Sequence, residues 1–537
     1  MLYYSSGRPV KQYTYLLGNI TAKESFQNLL KSNESEQWWN AMDCEMNSLI
    51  ENQTWTLVPR PKKARIIGCR WILSKKLDEN NKIKFKARLI AQGYRMKKGE
   101  DYDDTYAPVI RYSSIYLLLS HAARHNFHIH HVDVKTAYLN GYINHDLYMH
   151  QPFGYINKNK PDWVCKLNRS IYGLKQSAKC WNIQLRKILS KFGLNRFYSE
   201  SSIFANNRRD LIVGVYVDDL LILSPHLHLI ENFKKYLSSK FKITDKGPTR
   251  KFLNLNIVRN QNLIEIDTTQ KVDELLKHYD MENCNGASTP IVPGTLLNSD
   301  NAEIMHDNFE FNSLVGKLGY LACTSRPDIR YVTTLLSTFK SSPTTLHWNL
   351  AKRVLRYLKH TRDAKLIFGP SDGNIRILCD ADFGNLQNKS KSFIGLTVFH
   401  GGNLIYWTTT QLKVSSNSTC ESETLATKEA ATLGRYFFNL INELNGYRSN
   451  IPIQIYNDNQ PSINAVEGGG HFARTKNFTI WLNLINDYIE QNWINVQHIP
   501  GSANIADAFT KPLTEPRLGN LFSAANFKLP IRGNVKL

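Results

Sequence analysis

The stretch LIVGVYVDDLLILS, residues 211–224, constrains the fold of this chain more than any other. Two apolar runs rich in Val, Ile and Leu flank Asp218 and Asp219, so each run is predicted to be a buried strand and the acidic pair to form the turn of a hairpin. Buried carboxylates are costly unless a cation neutralises them. Neighbouring carboxylates that hold two metal ions about 3.5–4 Å apart suit in-line phosphoryl transfer. The hairpin therefore predicts a metal site.

The alternative is an ordinary surface turn, because aspartate is common in turns. Asp103 and Asp104 offer a comparison, since they stand in the polar run GEDYDDTY and are predicted to form such a turn. The apolar flanks on both sides of Asp218 favour the metal site instead. The order Tyr216, Val217, Asp218, Asp219 also resembles the YxDD box of reverse transcriptases.

Composition indicates a partner for this chain. Its 537 residues are enough for about three or four domains. Lys and Arg (67) exceed Asp and Glu (46) by 21, which favours a polyanionic partner, nucleic acid ahead of an anionic membrane. A basic protein without such a partner remains the alternative.

The 8 cysteines form no CxxC pair, which argues against a zinc ribbon and a disulfide framework. No apolar run is long enough to span a membrane.

Two further segments, both before the hairpin in the sequence, carry residues of interest. In RIIGCRWILSKKLDENNKIKFKARLIAQGY, the turn at 78–81 separates two β-prone runs and predicts a basic hairpin. That hairpin suits a template strand or a triphosphate, or it is a solvated lysine face. Asp133 ends the β-prone run 128–134 and is expected to close the same site as Asp218. The histidines of that run, HxHH, lack a further ligand at a zinc-binding spacing and are not predicted to hold metal.

Several long motifs then occur in one order: VDVKTAYLNG, LYMHQPFGY, SIYGLKQSAKCW and YVDDLLILS. Together with KKLDENNKIKFKARLIAQGY upstream and GASTP and TSRPDIRY downstream, they resemble the reverse transcriptase of copia-type LTR retrotransposons. Within that family, the resemblance is to a yeast-like element. The resemblance runs from about residue 35 to about residue 515. It implies an α/β (α+β) fold, a right-hand polymerase with fingers, palm and thumb, then a connection segment and a C-terminal ribonuclease H-like domain.

The resemblance also implies roles for single residues of the polymerase. The metal-binding carboxylates would be Asp133, Asp218 and Asp219, with a backbone carbonyl from Val134. Arg88 would contact the triphosphate, Tyr138 would exclude a 2′-hydroxyl, and Gln176 would contact template and nucleotide. In KFLNLNIVRN, Asn254 stands where the family's primer grip has glycine, which puts close approach of this backbone to the primer in question.

A second site is predicted from residue 374 onward. Predicted strands followed by a helix carry CDADFG, CESETLATKEAA, IYNDNQPSI, ARTKN and NIADAFTKPL, which match a ribonuclease H domain. The implied metal carboxylates are Asp380, Glu423, Asp458 and Asp507, and such a set suits two ions that activate water against an RNA phosphodiester. Asp382 competes for the first position and Glu421 for the second. The departures are Phe383 in place of Trp, and Asn477 and Thr479 in place of His and Asp.

The predicted domain boundaries follow from these motifs. They are a linker or polyprotein remnant (1–32), the reverse transcriptase with fingers, palm and thumb (33–290), a connection segment (291–373), a ribonuclease H-like domain (374–515) and a basic tail (516–537).

The resemblance implies an RNA-directed DNA polymerase with ribonuclease H activity that copies element RNA. Mg²⁺, two ions per active site, suits oxygen-rich sites that hold phosphates. Implied partners are the RNA template, the RNA–DNA hybrid, a tRNA primer, dNTPs, and the integrase and capsid protein of the element, inside a cytoplasmic virus-like particle with nuclear entry. The alternative is a truncated remnant that binds nucleic acid without turnover, which the abrupt start and the departures at Asn254 and Asn477 favour. A DNA-templated polymerase with a separate nuclease fits the ribonuclease H motifs poorly.

Overall fold

The computed structural model describes residues 32–77, 82–297, 302–383, 391–412, 418–468 and 478–530, the two short strands near the N-terminus, and positions 28 and 416. The strands, in chain order, are β1 (Leu2–Tyr3), β2 (Pro9–Val10), β3 (Trp55–Val58), β4 (Ile66–Ile67), β5 (Cys69–Leu77), β6 (Ile83–Ala91), β7 (His128–Val134), β8 (Tyr148–Met149), β9 (Val164–Leu167), β10 (Asn195–Arg196), β11 (Ile203–Ala205), β12 (Ile212–Tyr216), β13 (Asp219–Ser224), β14 (Ile243–Pro248), β15 (Lys251–Phe252), β16 (Leu255–Asn260), β17 (Leu263–Asp267), β18 (Lys365–Phe368), β19 (Ile375–Asp382), β20 (Phe393–His400), β21 (Asn403–Gln411), β22 (Ile453–Asn457), β23 (Ile494–His498) and β24 (Phe527–Lys528).

The α-helices of the same segments are α1 (Ser35–Glu51), α2 (Tyr112–His125), α3 (Ser177–Lys191), α4 (Leu227–Ser238), α5 (Thr269–His278), α6 (Phe309–Thr324), α7 (Arg330–Ser337), α8 (Thr345–His360), α9 (Thr419–Asn445), α10 (Gln460–Glu467), α11 (Thr479–Glu490) and α12 (Glu515–Ala524). The mixed α/β class predicted from the sequence is confirmed. No helix in these segments is both long enough and apolar enough to cross a bilayer.

The central sheet, with strand order β10-β11-β12-β13-β7-β14, is antiparallel throughout. The predicted hairpin at 211–224 is its centre, formed by β12 and β13. Successive side chains of a strand point to opposite faces. Accordingly Leu221 and Leu223 pack in the core that holds α2, whereas Leu220 and Ile222 pack in the core that holds α3 and α4. Helices on both faces explain why β13 reads as a continuous apolar run.

The predicted basic hairpin is also confirmed. Strands β5 and β6 pair antiparallel from Cys69 opposite Ala91 to Leu77 opposite Ile83. Its turn, residues 78–81, lies outside the described residues. Helix α1 covers one side of the hairpin, with Trp38 set edge-on to Phe85 at 4.6 Å between ring centroids. A small four-stranded sheet, β3-β9-β8-β4, completes this N-terminal unit.

A junction sheet, β15-β16-β17-β18-β24, joins distant parts of the chain. Its strands come from the predicted reverse transcriptase (β15–β17), the predicted connection segment (β18) and the predicted tail (β24). The described part of the predicted basic tail, 516–537, is folded: it contributes α12 (Glu515–Ala524) and β24 (Phe527–Lys528). Leu518, Leu521 and Phe522 recur at helical spacing and are buried, which is why this segment folds. Residues 531–537 lie outside the described part.

The C-terminal sheet has the order β21-β20-β19-β22-β23, antiparallel from β21 to β19 and parallel from β19 to β23. The 27-residue helix α9 packs against β19 and β22. This sheet shares one hydrophobic core with α2 of the central sheet, where Tyr116 stacks on Phe368 and on Trp407, each at 5.6 Å between centroids. The carboxylate of Glu443 on α9 accepts the backbone N–H groups of Tyr198 and Ser199, so polar contacts also join the two sheets.

Candidate active sites: two carboxylate clusters

The first cluster, called here the hairpin cluster, comprises Asp133, Asp218 and Asp219. Register places Asp133 on β7 directly opposite Asp219 on β13, and Asp218 stands in the two-residue turn between β12 and β13. The backbone N–H of Val134 donates to the carbonyl of Asp218 at 2.8 Å, which ties the turn to β7. The structure thus brings together the three carboxylates that the sequence separates by 85 and 86 positions.

The turn is held in an unusual backbone conformation. Val217 has φ of 52°, a left-handed conformation that is unfavourable for a β-branched residue. The indole N–H of Trp181 donates to the carbonyl of Val217 at 2.7 Å and fixes this conformation from α3. Such strain persists where the surroundings determine it, and it clusters at functional sites. Here it directs the two aspartates to the end of the hairpin.

The pKa values of Asp218 and Asp219 are shifted in opposite directions. Burial raises the pKa of Asp218, and the charges of Asp219 and Asp133 raise it further. Burial also raises the pKa of Asp219, but His131 and Lys246 outweigh it and leave this pKa below its ordinary value. Nε2 of His131 lies 2.6 Å from Oδ1 of Asp219, and Nζ of Lys246 lies 3.5 Å from the same oxygen.

His131 contacts the hairpin cluster at a position that the sequence alone does not predict. The HxHH run suggests at most a zinc site, whereas the strand alternation of β7 puts His131 beside Asp219 of the neighbouring strand. Its other ring nitrogen, Nδ1, lies 3.1 Å from the carbonyl oxygen of Lys251, so the ring is held at both ends. His130, the residue before His131, lies on the opposite face of the sheet, and its Nδ1 is 2.7 Å from Nζ of Lys234. The predicted surface pair behaves as expected, since Asp104 is exposed and pairs with Lys179 at 2.9 Å.

The predicted nucleotide-binding residues Arg88 and Tyr138 both contact one aromatic ring, that of Tyr172, which the sequence does not single out. The guanidinium of Arg88 stands 4.7 Å from the ring centroid of Tyr172, and Tyr138 packs edge-on to the same ring at 4.9 Å. The carbonyl of Tyr172 accepts the N–H of Ala91 on β6 at 2.8 Å. The motif SIYGLKQS contains this tyrosine, but a single sequence gives no sign that it touches both partners.

Gln176, predicted to contact template and nucleotide, is 5% exposed in this structure. Its Nε2 donates to the backbone carbonyl of Asp101 at 3.1 Å. No hydrogen bond reaches its Oε1 within the described part of the chain. The predicted role therefore stays a prediction, and it requires this side chain to turn.

Asn254, which stands where the family has glycine, lies in a tight turn. Leu253 and Asn254 form the two-residue turn between β15 and β16, with φ of 46° and 65°. Two positive φ values are what a tight two-residue hairpin turn requires, and asparagine tolerates them better than most residues. Asparagine at this position is therefore compatible with the turn.

The second cluster, called here the C-terminal cluster, comprises Asp380, Glu423, Asp458 and Asp507. Asp380 lies on β19, Glu423 on α9, Asp458 just after β22 and Asp507 in the 3-10 turn Ile505–Phe509. One carboxylate oxygen each of Asp380, Asp458 and Asp507 lies within 4.8 Å of the others. Within the described segments this is the one set of three acidic, His or Cys side chains that approach so closely. Oxygen ligands at this spacing suit a hard divalent cation.

Burial dominates the electrostatics of the C-terminal cluster. Asp380 is 2% exposed and Glu423 is 4% exposed. Burial and the neighbouring carboxylates raise the pKa of both groups. The side-chain amide of Asn457 donates to Glu423 at 3.1 Å, and the hydroxyl of Thr510 donates to Asp380.

The cavity lining distinguishes the alternative metal ligands, Asp382 and Glu421, from each other. A cavity of about 380 Å³ opens onto the cluster and is lined by Asp380, Glu423 and Asp458. Asp382 and Phe383 line it as well, whereas Glu421 does not. The structure therefore favours Glu423 over Glu421 and keeps Asp382 beside the site. Of the two other departures, Thr479 is the first residue of α11, and Asn477 lies outside the described residues.

Comparison with known proteins agrees with the geometry of the hairpin cluster. The model of the family "Reverse transcriptase (RNA-dependent DNA polymerase)" matches residues 52–293, which include Asp133, Asp218 and Asp219. Residues 52–293, which include the hairpin cluster, therefore form a reverse transcriptase domain.

Relatives extend the similarity along the chain. The retrovirus-related Pol polyprotein from transposon RE1 of Arabidopsis thaliana is 32% identical over 521 residues, 96% of this chain and 35% of that polyprotein. The Pol polyprotein from transposon TNT 1-94 of Nicotiana tabacum is 31% identical over 520 residues, 94% of this chain and 39% of its own length. A putative transposon Ty5-1 protein of Saccharomyces cerevisiae is 32% identical over 286 residues, 52% of this chain and 93% of that protein.

The chain belongs to the Pol family of copia-type retrotransposons. Relatives of similar identity come from both plant and yeast elements. The chain spans 35% of the length of the RE1 polyprotein.

Proposed function

We propose that this chain is an RNA-directed DNA polymerase with an associated ribonuclease H that together copy retrotransposon RNA into DNA. The observation that carries the proposal is the strand register that sets Asp133 opposite Asp219 with Asp218 in the adjoining turn, inside the segment that matches the reverse transcriptase family. In this proposal the central sheet is the palm, the N-terminal unit the fingers, and β15–β17 with α5 the thumb.

The residues of the chain have distinct tasks in nucleotide addition. Mg²⁺ held by the hairpin cluster would activate the primer 3′-hydroxyl and neutralise charge on the departing pyrophosphate. Arg88 presents a planar guanidinium that matches phosphate oxygens. Tyr138 offers a rigid ring against the sugar, where a 2′-hydroxyl would clash. His131 holds an oxygen of Asp219 and so sets the orientation of this carboxylate.

The C-terminal cluster supports the ribonuclease H part of the proposal. The four carboxylates come from four separate elements. Asp380, Glu423 and Asp458 line one cavity, and Asp380, Asp458 and Asp507 offer oxygens within 4.8 Å of one another. Such a donor set fits divalent cations that activate water for phosphodiester hydrolysis. Because burial and Asp380 raise the pKa of Glu423, metal binding in this proposal would release a proton from the cluster.

Membership of the family suggests the setting of the reaction. Several yeast Ty1 relatives are Gag-Pol polyproteins. We therefore propose an RNA template, RNA–DNA hybrid, dNTPs and a tRNA primer as ligands, with integrase and capsid protein as partners. The proposed location is the cytoplasmic virus-like particle, followed by nuclear entry.

Primer extension on an RNA template tests the polymerase. Asp218→Asn is expected to reduce synthesis by about a hundredfold or more, because losing a metal ligand costs at least as much as losing a group that supports one. Asp104→Asn makes the same change in the exposed acidic pair and is expected to leave synthesis unchanged. Hybrid binding without synthesis by the parent protein would contradict the proposal and identify a remnant.

Cleavage of a labelled RNA–DNA hybrid tests the nuclease separately. Asp458→Asn is expected to abolish cleavage while primer extension persists, since the two clusters lie on different sheets. The matched control is Asp487→Asn, at an exposed position of α11. Equal cleavage by Asp458→Asn and the parent would show that the C-terminal cluster is not the nuclease site.

A further inference from the structure

The ammonium of Lys511 lies among the carboxylates of the C-terminal cluster. Lys511 follows Asp507 by four residues, and its Nζ is 2.6 Å from Oδ1 of Asp507 and 3.7 Å from Oδ2 of Asp380. The side chain lines the same 380 Å³ cavity as Asp380, Glu423 and Asp458. It therefore stands on the side of the carboxylates from which a metal ion and a substrate would approach.

A second cation, Arg517 on α12, approaches Asp507 from elsewhere. Its guanidinium donates to the other oxygen of Asp507 and to the carbonyl of Gly501 at 3.0 Å, and Arg517 is not among the residues that line the cavity. Asp507 is 1% exposed, so both of its oxygens meet a cation in a buried setting. Buried carboxylates need such partners, because an unpaired buried charge is strongly destabilising. Arg517 pairs with Asp507 outside the cavity, and Lys511 pairs with it inside the cavity.

We infer that the Lys511 ammonium is an internal competitor of the divalent metal: it occupies the position between Asp380 and Asp507 and must be displaced when an ion binds them. This inference rests on the proposed ribonuclease H site and adds a residue to it. Two cations held by the same oxygens repel each other, so the ion and the ammonium cannot share the position. The lysine keeps the buried carboxylates paired before metal arrives and weakens metal affinity.

The charge state of the lysine is consistent with this role. Burial lowers the pKa of Lys511, but Asp380 and Asp507 outweigh burial and leave it above its ordinary value. Lys511 therefore carries its charge at neutral pH.

Mn²⁺ binding to the full chain, followed by the electron paramagnetic resonance of free Mn²⁺, tests the inference. Asp133→Asn with Asp218→Asn provides a background in which the hairpin cluster no longer holds metal. In that background Lys511→Met is expected to bind Mn²⁺ about tenfold more tightly, because a positive charge a few ångströms from the ion is removed. Lys528→Met, the same change at an exposed lysine of β24, is expected to leave the affinity unchanged. Asp458→Asn, added to the background, is expected to remove the binding and so assign it to this cluster.

Thermal unfolding supplies a second readout. In chelator, Lys511→Met is expected to unfold at a lower temperature than the background protein, since two buried carboxylates lose a partner. Saturating Mn²⁺ is expected to raise its Tm by more than it raises that of the background. A lysine with a merely structural role would lower stability with and without metal alike.

Each result decides the inference. Unchanged or weaker Mn²⁺ affinity in a folded Lys511→Met protein would overturn it, as would absence of Mn²⁺ binding in both proteins. If Lys511→Met does not fold, Lys511→Arg replaces it: a guanidinium that pairs with both carboxylates is expected to weaken Mn²⁺ binding severalfold, and tighter binding would overturn the inference. Tighter Mn²⁺ binding by Lys511→Met without hybrid cleavage by the parent would support the inference and contradict the ribonuclease H proposal.

Discussion

At the scale of single residues, the hairpin cluster depends on His131. Two carboxylates of one turn have pKa values shifted in opposite directions, and His131 accounts for much of the difference. A folded-state pKa below the ordinary value means that Asp219 loses its charge only as the pH falls below the usual aspartate range. Asp218, whose pKa is raised, gains its proton first on acidification.

Replacing His131 with leucine is therefore expected to change the pH dependence of synthesis. Lys246 is then the one of these two cations left to oppose burial at Asp219, so the pKa of Asp219 rises and activity begins to fall at a higher pH. At neutral pH we expect a loss of about tenfold or more in kcat, as for other groups that orient a metal ligand. His131→Gln keeps a hydrogen-bond donor and should retain most of the activity, and His128→Leu changes an exposed position of the same strand. Primer-extension rates between pH 6 and 8 give the measurement, and parallel profiles for His131→Leu and the parent would contradict the role.

Tyr172 is the second residue that the structure adds. Its ring contacts both Arg88 and Tyr138, so it supports the proposed triphosphate contact and the proposed sugar contact together. A cation–π contact at a partly exposed site contributes about 0.5–1 kcal/mol. Tyr172→Leu is expected to raise the KM for dNTPs roughly two- to fivefold and to weaken discrimination against ribonucleotides. Tyr172→Phe keeps the ring and should resemble the parent, so equal effects of both changes would point to a lost hydroxyl contact instead.

At the scale of elements, tight turns carry the constraints that strands do not. The turn of β15 and β16 requires positive φ at two successive residues, and Asn254 meets this requirement. Asn254→Val is expected to lower the free energy of unfolding by about 1–3 kcal/mol, because a β-branched residue is strained there. Asn254→Gly should be nearly neutral, and so should Asn256→Val on the adjacent strand, where φ is not positive. Urea unfolding measures the difference, and a neutral Asn254→Val would mean that the turn rearranges freely.

At the scale of the whole molecule, the last described segment completes two parts of the structure at once. β24 pairs with β18 in the junction sheet, and Arg517 of α12 reaches Asp507. Removing residues 514–537 is expected to leave β18 as an open edge, expose apolar residues under α12 and deprive Asp507 of one cation. We expect faster cleavage in limited proteolysis and a lower Tm than for the full chain. Unchanged proteolysis and Tm would support the tail predicted from the sequence.

The junction sheet also connects segments that the sequence motifs assign to different predicted domains. Motifs located the segments in order, but the junction sheet takes strands from residues 251–267, 365–368 and 527–528. Short strands such as β18 and β24 have no distinctive pattern of their own, since two to four residues are too few for a period to show. Their pairing is decided by which partners the folded chain brings to the same edge.

The amino-acid sequence by itself determined the hairpin around Asp218, the strand that ends at Asp133 and the basic hairpin. These features are local, because apolar runs and turn residues lie close together in the sequence. The carboxylates of the C-terminal cluster were implied by the family motifs, since single acidic residues have no distinctive pattern of their own. The tertiary structure alone decided that His131 meets Asp219, that Tyr172 contacts both Arg88 and Tyr138, that Gln176 is buried, and that Lys511 approaches both Asp380 and Asp507. Each of these is a contact between side chains distant in sequence or on different elements, and its geometry is fixed by strand register and packing rather than by the identity of neighbouring residues.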